Sequence, residues 1–364
     1  MKQKAPWLRA VLAAAVLAFA AYLYLFFTAG VEPQHRLSVG LILPKEYADS
    51  AWYQTTRQGL EKTAEKIGSK LLVEEDVPDS ADGMAAIDRL HREGAMIIVS
   101  ACYGYGDLFR AAGEKYPSTH FYTIIPDQNE TNVRTYFVRI YQLRYLQGML
   151  AGMKTKTNRI GFVSVSRVPD NVQELDAFAL GVRRVNPAAE VLVSFQNRGD
   201  YSDEAAIAIA ERMVAERGVD VLASHRQDDA VAAWAVAQGI DAVGSYDELP
   251  DDPRLLSRQS IDWAAVWSEL IKEDARHSNP RAFYWFGFDR AGFRFDIVSP
   301  AVTESERARI AEAEQAIRDG FEPFSGVIYD NEGNLRCHEG ETVSDTALRE
   351  EIDWLAEGVV VYDE

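Results

Sequence analysis

Short apolar strands alternate with amphipathic helices on both sides of one stretch, Tyr136 to Phe162, and this restricts the chain to an α/β architecture built on parallel sheets. The stretch itself reads YFVRIYQLRYLQGMLAGMKTKTNRIGF. It contains a strand end, a polar and aromatic crossing from Val138 to Gln142, an apolar helix from Leu143 to Met153, a basic turn and a new strand. Such a segment is expected to leave one sheet and open another. It therefore lies beside a cleft, where doubly wound folds hold their ligands.

Ahead of it, strands are predicted at Leu37–Leu43, Lys70–Glu74, Met96–Ser100, His120–Ile125 and Val133–Phe137, with helices at Trp52–Ile67, Ala81–Arg92 and Leu108–Lys115. Beyond it, strands at Arg159–Ser164, Val191–Phe195, Val219–Ser224 and Asp241–Ser245 enclose helices at Val172–Val185, Glu204–Arg217 and Asp229–Gln238. The second lobe is then complete. Leu255–Gln259 and a helix from Trp263 to Arg276 read as a return to the first, and Phe283–Val298, alternating about Gly292, reads as a hairpin. A helix from Thr303 to Asp319, a strand at Gly326–Tyr329 with its turn at Asp330–Gly333, and a last helix near Asp345–Glu357 follow. Lobe 1 is expected to comprise 37–138 plus about 255–298, and lobe 2 139–254 plus about 299–364. The 364 residues, 47% apolar, suffice for two such cores.

Residues 1–30 carry Lys2, Lys4 and Arg9 and no acid, which leaves 35 basic residues against 56 acidic in the remainder. That excess repels the phosphates of nucleic acid and anionic lipid, so no nucleic-acid partner is expected. Ala10 to Phe27 is an uncharged run, about 27 Å long as a helix. It reads as a signal anchor, or as a signal peptide cut at the small residues Thr28-Ala29-Gly30, with 31–36 as linker. The preceding positive charges put the acidic bulk outside the cytoplasm, on the periplasmic or extracellular face of a bacterial membrane.

Catalytic and cofactor motifs fail in turn. Cys102-Tyr103-Gly104-Tyr105-Gly106 follows a strand as a dinucleotide loop does, but Phe109 stands where the third glycine is needed. Cys337-His338-Glu339 lacks a partner pair at metal spacing, and Asp330–Gly333 lacks the later ligands of a calcium loop. No enzyme activity, metal or cofactor is expected. The loops at strand carboxyl ends are instead aromatic and polar: Trp52 and Tyr53 after the first strand, Tyr103 and Tyr105 after the third, and His225 with Gln227 and Asp228 in the second lobe. A planar ligand stacked between Trp52 and Tyr103 gains about 1–3 kcal/mol per ring, by analogy with nucleobase stacking.

Several motifs resemble the basic membrane protein family of extracytoplasmic solute receptors, the substrate-binding proteins of ABC transporters that include purine nucleoside and adenine receptors. They are Asn132-Val133-Arg134-Thr135, Tyr136-Phe137, Arg139, Tyr141-Gln142, Arg144-Tyr145-Leu146 with Gly148, Ala151-Gly152, Thr155-Lys156-Thr157, Leu180-Gly181-Val182-Arg183 and Val185-Asn186-Pro187. The resemblance covers nearly all of Leu37–Val360. It implies a type I periplasmic-binding-protein fold, two doubly wound lobes joined by crossing strands, with Trp52 and Tyr103 sandwiching a purine-like base. It also places Arg139 and Tyr141 near the hinge side of the cleft, retains Asn197 and His225, and moves two acids to Asp228 and Asp247. The family's basic residue after the loop proline is Gln173 here. The expected function is capture of a purine-like solute for an ABC permease and its ATPase. The alternative is a membrane-anchored sensor that signals to a membrane partner without transport.

Overall fold

The structure, a computed structural model, describes residues 38–44, 51–102, 104–124, 132–196, 200–226, 228–245, 249–275, 283–290 and 292–362, and every structural statement below concerns these residues. The hydrophobic run at the amino terminus lies outside them.

The chain opens with β1 (Ser38–Ile42), α1 (Ala51–Ile67), β2 (Lys70–Glu74), α2 (Met84–Arg92), β3 (Ala95–Ser100), α3 (Gly106–Lys115), β4 (His120–Thr123) and β5 (Val133–Val138). Then come α4 (Ile140–Lys154), β6 (Arg159–Ser164), α5 (Pro169–Val185), β7 (Glu190–Phe195), α6 (Asp203–Arg217), β8 (Val221–Ser224), α7 (Ala230–Ala237), β9 (Asp241–Ser245) and β10 (Leu255–Ile261). The remainder is α8 (Trp263–Ala275), β11 (Phe283–Phe286), β12 (Phe293–Ile297), α9 (Glu304–Arg318), the short ribbon β13 (Ile328–Tyr329) and β14 (Leu335–Cys337), and β15 (Val359–Val361). One sheet has the order β11-β5-β4-β3-β1-β2 and is parallel throughout. The other runs β12-β10-β9-β8-β6-β7-β15, parallel except for the β10–β12 pair. This is the two-sheet α/β architecture that the βα alternation predicts.

Local chemistry sets the helix ends. Pro169 begins α5, where a missing N–H costs nothing, and Thr303 with Glu306 forms a reciprocal capping box on α9. The tightest contact in the second lobe is between α4 and α5. A Cβ added at Gly148 would stand 1.9 Å from the Phe178 carbonyl oxygen, and one at Gly181 would stand 2.0 Å from that of Tyr145. Only glycine lets these two backbones touch.

The return path differs from the sequence expectation. β10 pairs with β9 and β12, so it completes the second sheet rather than returning to the first. Phe283–Val298 is not a hairpin, because β11 joins β5 in the first sheet while β12 joins β10 in the second. The return is made by α8, whose Trp267 donates its indole N–H to the Thr56 carbonyl of α1 at 3.3 Å. The chain thus crosses between lobes at Arg139, at Asp262 and between Phe286 and Phe293. The crossings are tied to one another: Arg139 N–H donates to the Phe286 carbonyl at 2.7 Å, Phe288 N–H to Gln142 Oε1 at 3.0 Å, and Asp262 N–H to the Gly292 carbonyl at 3.0 Å. At the carboxyl end, the expected helix is a five-residue π-type turn, Ala347–Glu351, followed by β15 on the edge of the second sheet.

Candidate functional site

A cavity of about 570 Å3 opens between the lobes at the carboxyl ends of their strands, within the ~300–1,000 Å3 range of small-molecule sites. Its first-lobe wall is mostly apolar, with Trp52 and Tyr53 from the first turn of α1, Ala101 and Cys102 after β3, and Phe137 from β5. Trp52 is held in place. Its indole N–H donates to the Ala101 carbonyl at 2.9 Å, and its ring meets Trp263 edge-on at 4.9 Å and Phe137 at 6.2 Å. The N–H is thus spent inside the protein, and what Trp52 adds to the lining is aromatic ring.

The second-lobe wall is polar and charged. Arg144 of α4, 1% exposed, donates from Nε to Glu174 Oε2 of α5 at 2.9 Å, while His225 Nε2 lies 3.2 Å from the other Glu174 oxygen. Burial alone would raise the Glu174 carboxyl, but the charges of His225 and Arg144 outweigh it and hold it below its usual range. Removing one member of such a buried pair typically costs about 3–5 kcal/mol, so the group fixes both helices behind the cavity. Asp170, one turn earlier on α5, also lines the wall. Burial and the neighbouring Glu174 charge push it up to about 6, against the opposing effects of His225 and the Gln173 amide. Arg226, 7% exposed, is clasped by Asp228, Gln196, Asp203 and the Tyr201 carbonyl. Val168 and Tyr201, 45% and 52% exposed, stand at the mouth.

Of the residues expected from the sequence, Trp52, Tyr53, His225 and Asp228 come together on this cavity, with Asp228 already engaged by Arg226. Tyr103, Asn197, Gln227 and Asp247 lie outside the described residues. Tyr105 is displaced from the expected role: it is fully buried and its hydroxyl donates to the Val77 carbonyl at 2.5 Å, beneath the loop rather than in the cleft. Arg139 and Tyr141 also lie off the cavity lining. Arg139 grips both oxygens of Asp345 at 2.9 and 2.7 Å and stacks 4.4 Å over Trp285, and the Tyr141 hydroxyl donates to Glu322 at 2.8 Å. They form a latch between the first crossing and the carboxyl-terminal segment. Gln173 is buried, and its amide braces Asp170 at 3.0 Å.

Arg144, Asp170, Asn171, Glu174 and Arg226 line the cavity in addition to the residues expected from the sequence. Arg144 did carry a signal, as a single charge inside the apolar run Leu143–Met153, because a buried guanidinium requires a partner. Among the described residues no cluster of three or more His, Cys, Asp or Glu is arranged to hold a metal ion.

Two doubly wound lobes with a ligand-sized cleft at their strand ends are the architecture of the periplasmic-binding type. Residues 36–249, more than half of the chain, match the family described as ABC transporter substrate-binding protein PnrA-like, and the chain belongs to that family. A purine-binding protein of Brucella abortus (strain 2308) is 26% identical over 322 residues, covering 86% of this chain and 91% of that one. The transcriptional activator protein Med of Bacillus subtilis (strain 168) is 26% identical over 281 residues, covering 75% and 86%. In fold, the chain is similar to an ABC transporter solute-binding protein from Conexibacter woesei, with a TM-score of 0.64 at 17% identity over 78% of this chain and 97% of that one. Substrate-binding proteins of ABC transporters are extracytoplasmic and bind small molecules for a permease.

Proposed function

We propose that this protein closes on a purine-like base or nucleoside outside the cytoplasm and delivers it to an ABC permease. The observation that carries this reading is the asymmetry of the cavity. Trp52, its indole N–H spent on Ala101, contributes an aromatic ring from one lobe, while Asp170, Glu174 and His225 contribute polar side chains from the other. A flat heterocycle with a hydrogen-bonding edge fits such a pair of walls, and its binding draws the lobes together about the three crossings. The purine-binding relative in Brucella abortus supports the same ligand class. Isothermal titration of the purified protein against adenine, hypoxanthine, guanosine, adenosine and riboflavin tests it. Heat from at least one purine is expected, and heatless traces with all five would refute the purine reading.

A second reading is a ligand sensor that reports to a membrane partner without transport. It is favoured by the relative named a transcriptional activator and by the uncharged run Ala10–Phe27, which suits a membrane anchor on a short linker. Ligand-dependent uptake in cells, lost when the gene is deleted, separates transport from sensing.

A further inference from the structure

We infer that the second-lobe wall reads its ligand by accepting hydrogen bonds, with Asp170 and Asn171 as specificity-determining residues, and that it takes a heterocycle whose edge donates and which carries no phosphate. The inference rests on the purine reading above and deepens it.

The indole, amide and guanidinium donors on the described cavity wall are already committed. Trp52 gives its indole N–H to Ala101. Asn171 gives its amide nitrogen to the Ser166 carbonyl at 2.8 Å and the Ser166 hydroxyl at 3.0 Å. Because a carbonyl can only accept, this fixes the amide orientation and turns Oδ1 into the free end. Arg226 donates to Asp228, Gln196, the Tyr201 carbonyl and Asp203, and Arg144 is held by Glu174 and Gln147.

The acceptors are not all committed. Asp170 takes one bond, from Gln173 at 3.0 Å, and a carboxylate can take several. A ligand that supplies N–H groups satisfies these atoms, whereas one that presents only acceptors leaves them unpaired and adds its own desolvated lone pairs.

Charge points the same way. The lining holds Asp170, Glu174 and Asp228 against Arg144 and Arg226, and both arginines are already paired with carboxylates. A phosphate entering this cavity would find three carboxylates and two arginines that are already paired. Within purines the donor edge is that of guanine, whose lactam N–H adjoins an amino group. Inosine lacks the amino group, and adenosine alternates donor with acceptor.

The test is titration of the full-length protein with guanosine, inosine, adenosine, 1-methylguanosine and guanosine 5′-monophosphate, repeated with Asp170→Ala. Guanosine should bind about tenfold or more tighter than each of the other four, the scale set by leaving one buried acceptor unpaired. Asp170→Ala should shrink the preference for guanosine over inosine while thermal unfolding shows the variant folded. A purine that binds with inosine, adenosine or the monophosphate equal to or tighter than guanosine overturns the donor-edge inference and leaves the purine reading standing. A guanosine preference that survives Asp170→Ala overturns the assignment to this wall. Absence of binding by all five overturns the donor-edge inference, and the purine reading falls with it when adenine and hypoxanthine also give no heat.

Discussion

Asp170 holds its place at a cost that can be measured. Its carboxyl is pushed up to about 6 by burial and by the Glu174 charge, against an ordinary value of 3.8. The folded state therefore keeps the proton to higher pH than the unfolded chain does. Between about pH 4 and pH 6 the native protein binds more protons than the unfolded one, so stability falls as pH rises through that window and the loss is complete above it. A gap of about 2 pK units, at ~1.4 kcal/mol each, corresponds to about 3 kcal/mol. Partial solvent access reduces this to about 2 kcal/mol. Asp170→Asn retains the bond from Gln173 and removes the titration, but it also removes a negative charge from the first turn of α5, worth ~0.3–1 kcal/mol. The variant should thus be more stable than the parent by about 1–2 kcal/mol at pH 7.5, and the gain should vanish near pH 4. Urea unfolding of both proteins at the two pH values, followed by tryptophan fluorescence, measures the difference directly. A variant equal to or weaker than the parent at pH 7.5, or a difference independent of pH, would refute the reasoning. A group kept ionised at such a cost fits a binding role better than a structural one.

Three further outcomes are expected. Trp52→Leu keeps bulk at the entry of α1 but removes the ring face, and should weaken purine affinity by ~1–3 kcal/mol in a titration; unchanged affinity would remove Trp52 from the site. Gly181→Ala drives a methyl group against the Tyr145 carbonyl and should destabilise the protein by about 3 kcal/mol or more in urea, with a loss under 1 kcal/mol contradicting the close helix contact. Arg139→Ala should leave affinity within about twofold and lower stability by ~2 kcal/mol through loss of the Asp345 bonds, and a large affinity loss at unchanged stability would return Arg139 to the ligand.

The sequence revealed the βα order and both lobes because apolar periodicity is a local property, and Trp52 and His225 were legible because strand ends in such sheets face the cleft. Sheet membership is not local. Leu255–Ile261 reads the same whether its neighbours are β9 and β12 or the strands of the first lobe, and Phe283–Val298 alternates whether it folds back or bridges two sheets. The terminal segment reads as a helix because Leu348, Ile352 and Leu355 recur at near-helical spacing, although what they bury is a turn and its approach to β15. Arg139 and Tyr141 stand beside the cleft in sequence, but their acidic partners, Glu322 and Asp345, are some 180 to 206 residues away and carry no local mark of the pairing. Arg226 is marked locally only by Asp228, two residues on; its other carboxylate, Asp203 at the start of α6, is brought to it by the fold.

The backbone contact of α4 with α5 at Gly148 and Gly181 makes one slab of the two helices that bear Arg144, Asp170, Asn171 and Glu174. In the closure proposed above these groups travel as a unit, so their mutual spacing is set during folding and not by the solute. On that reading, selectivity is a property of the open form as much as of the closed one. Exchanging side chains on the slab would alter which solute is chosen without altering how the jaws move.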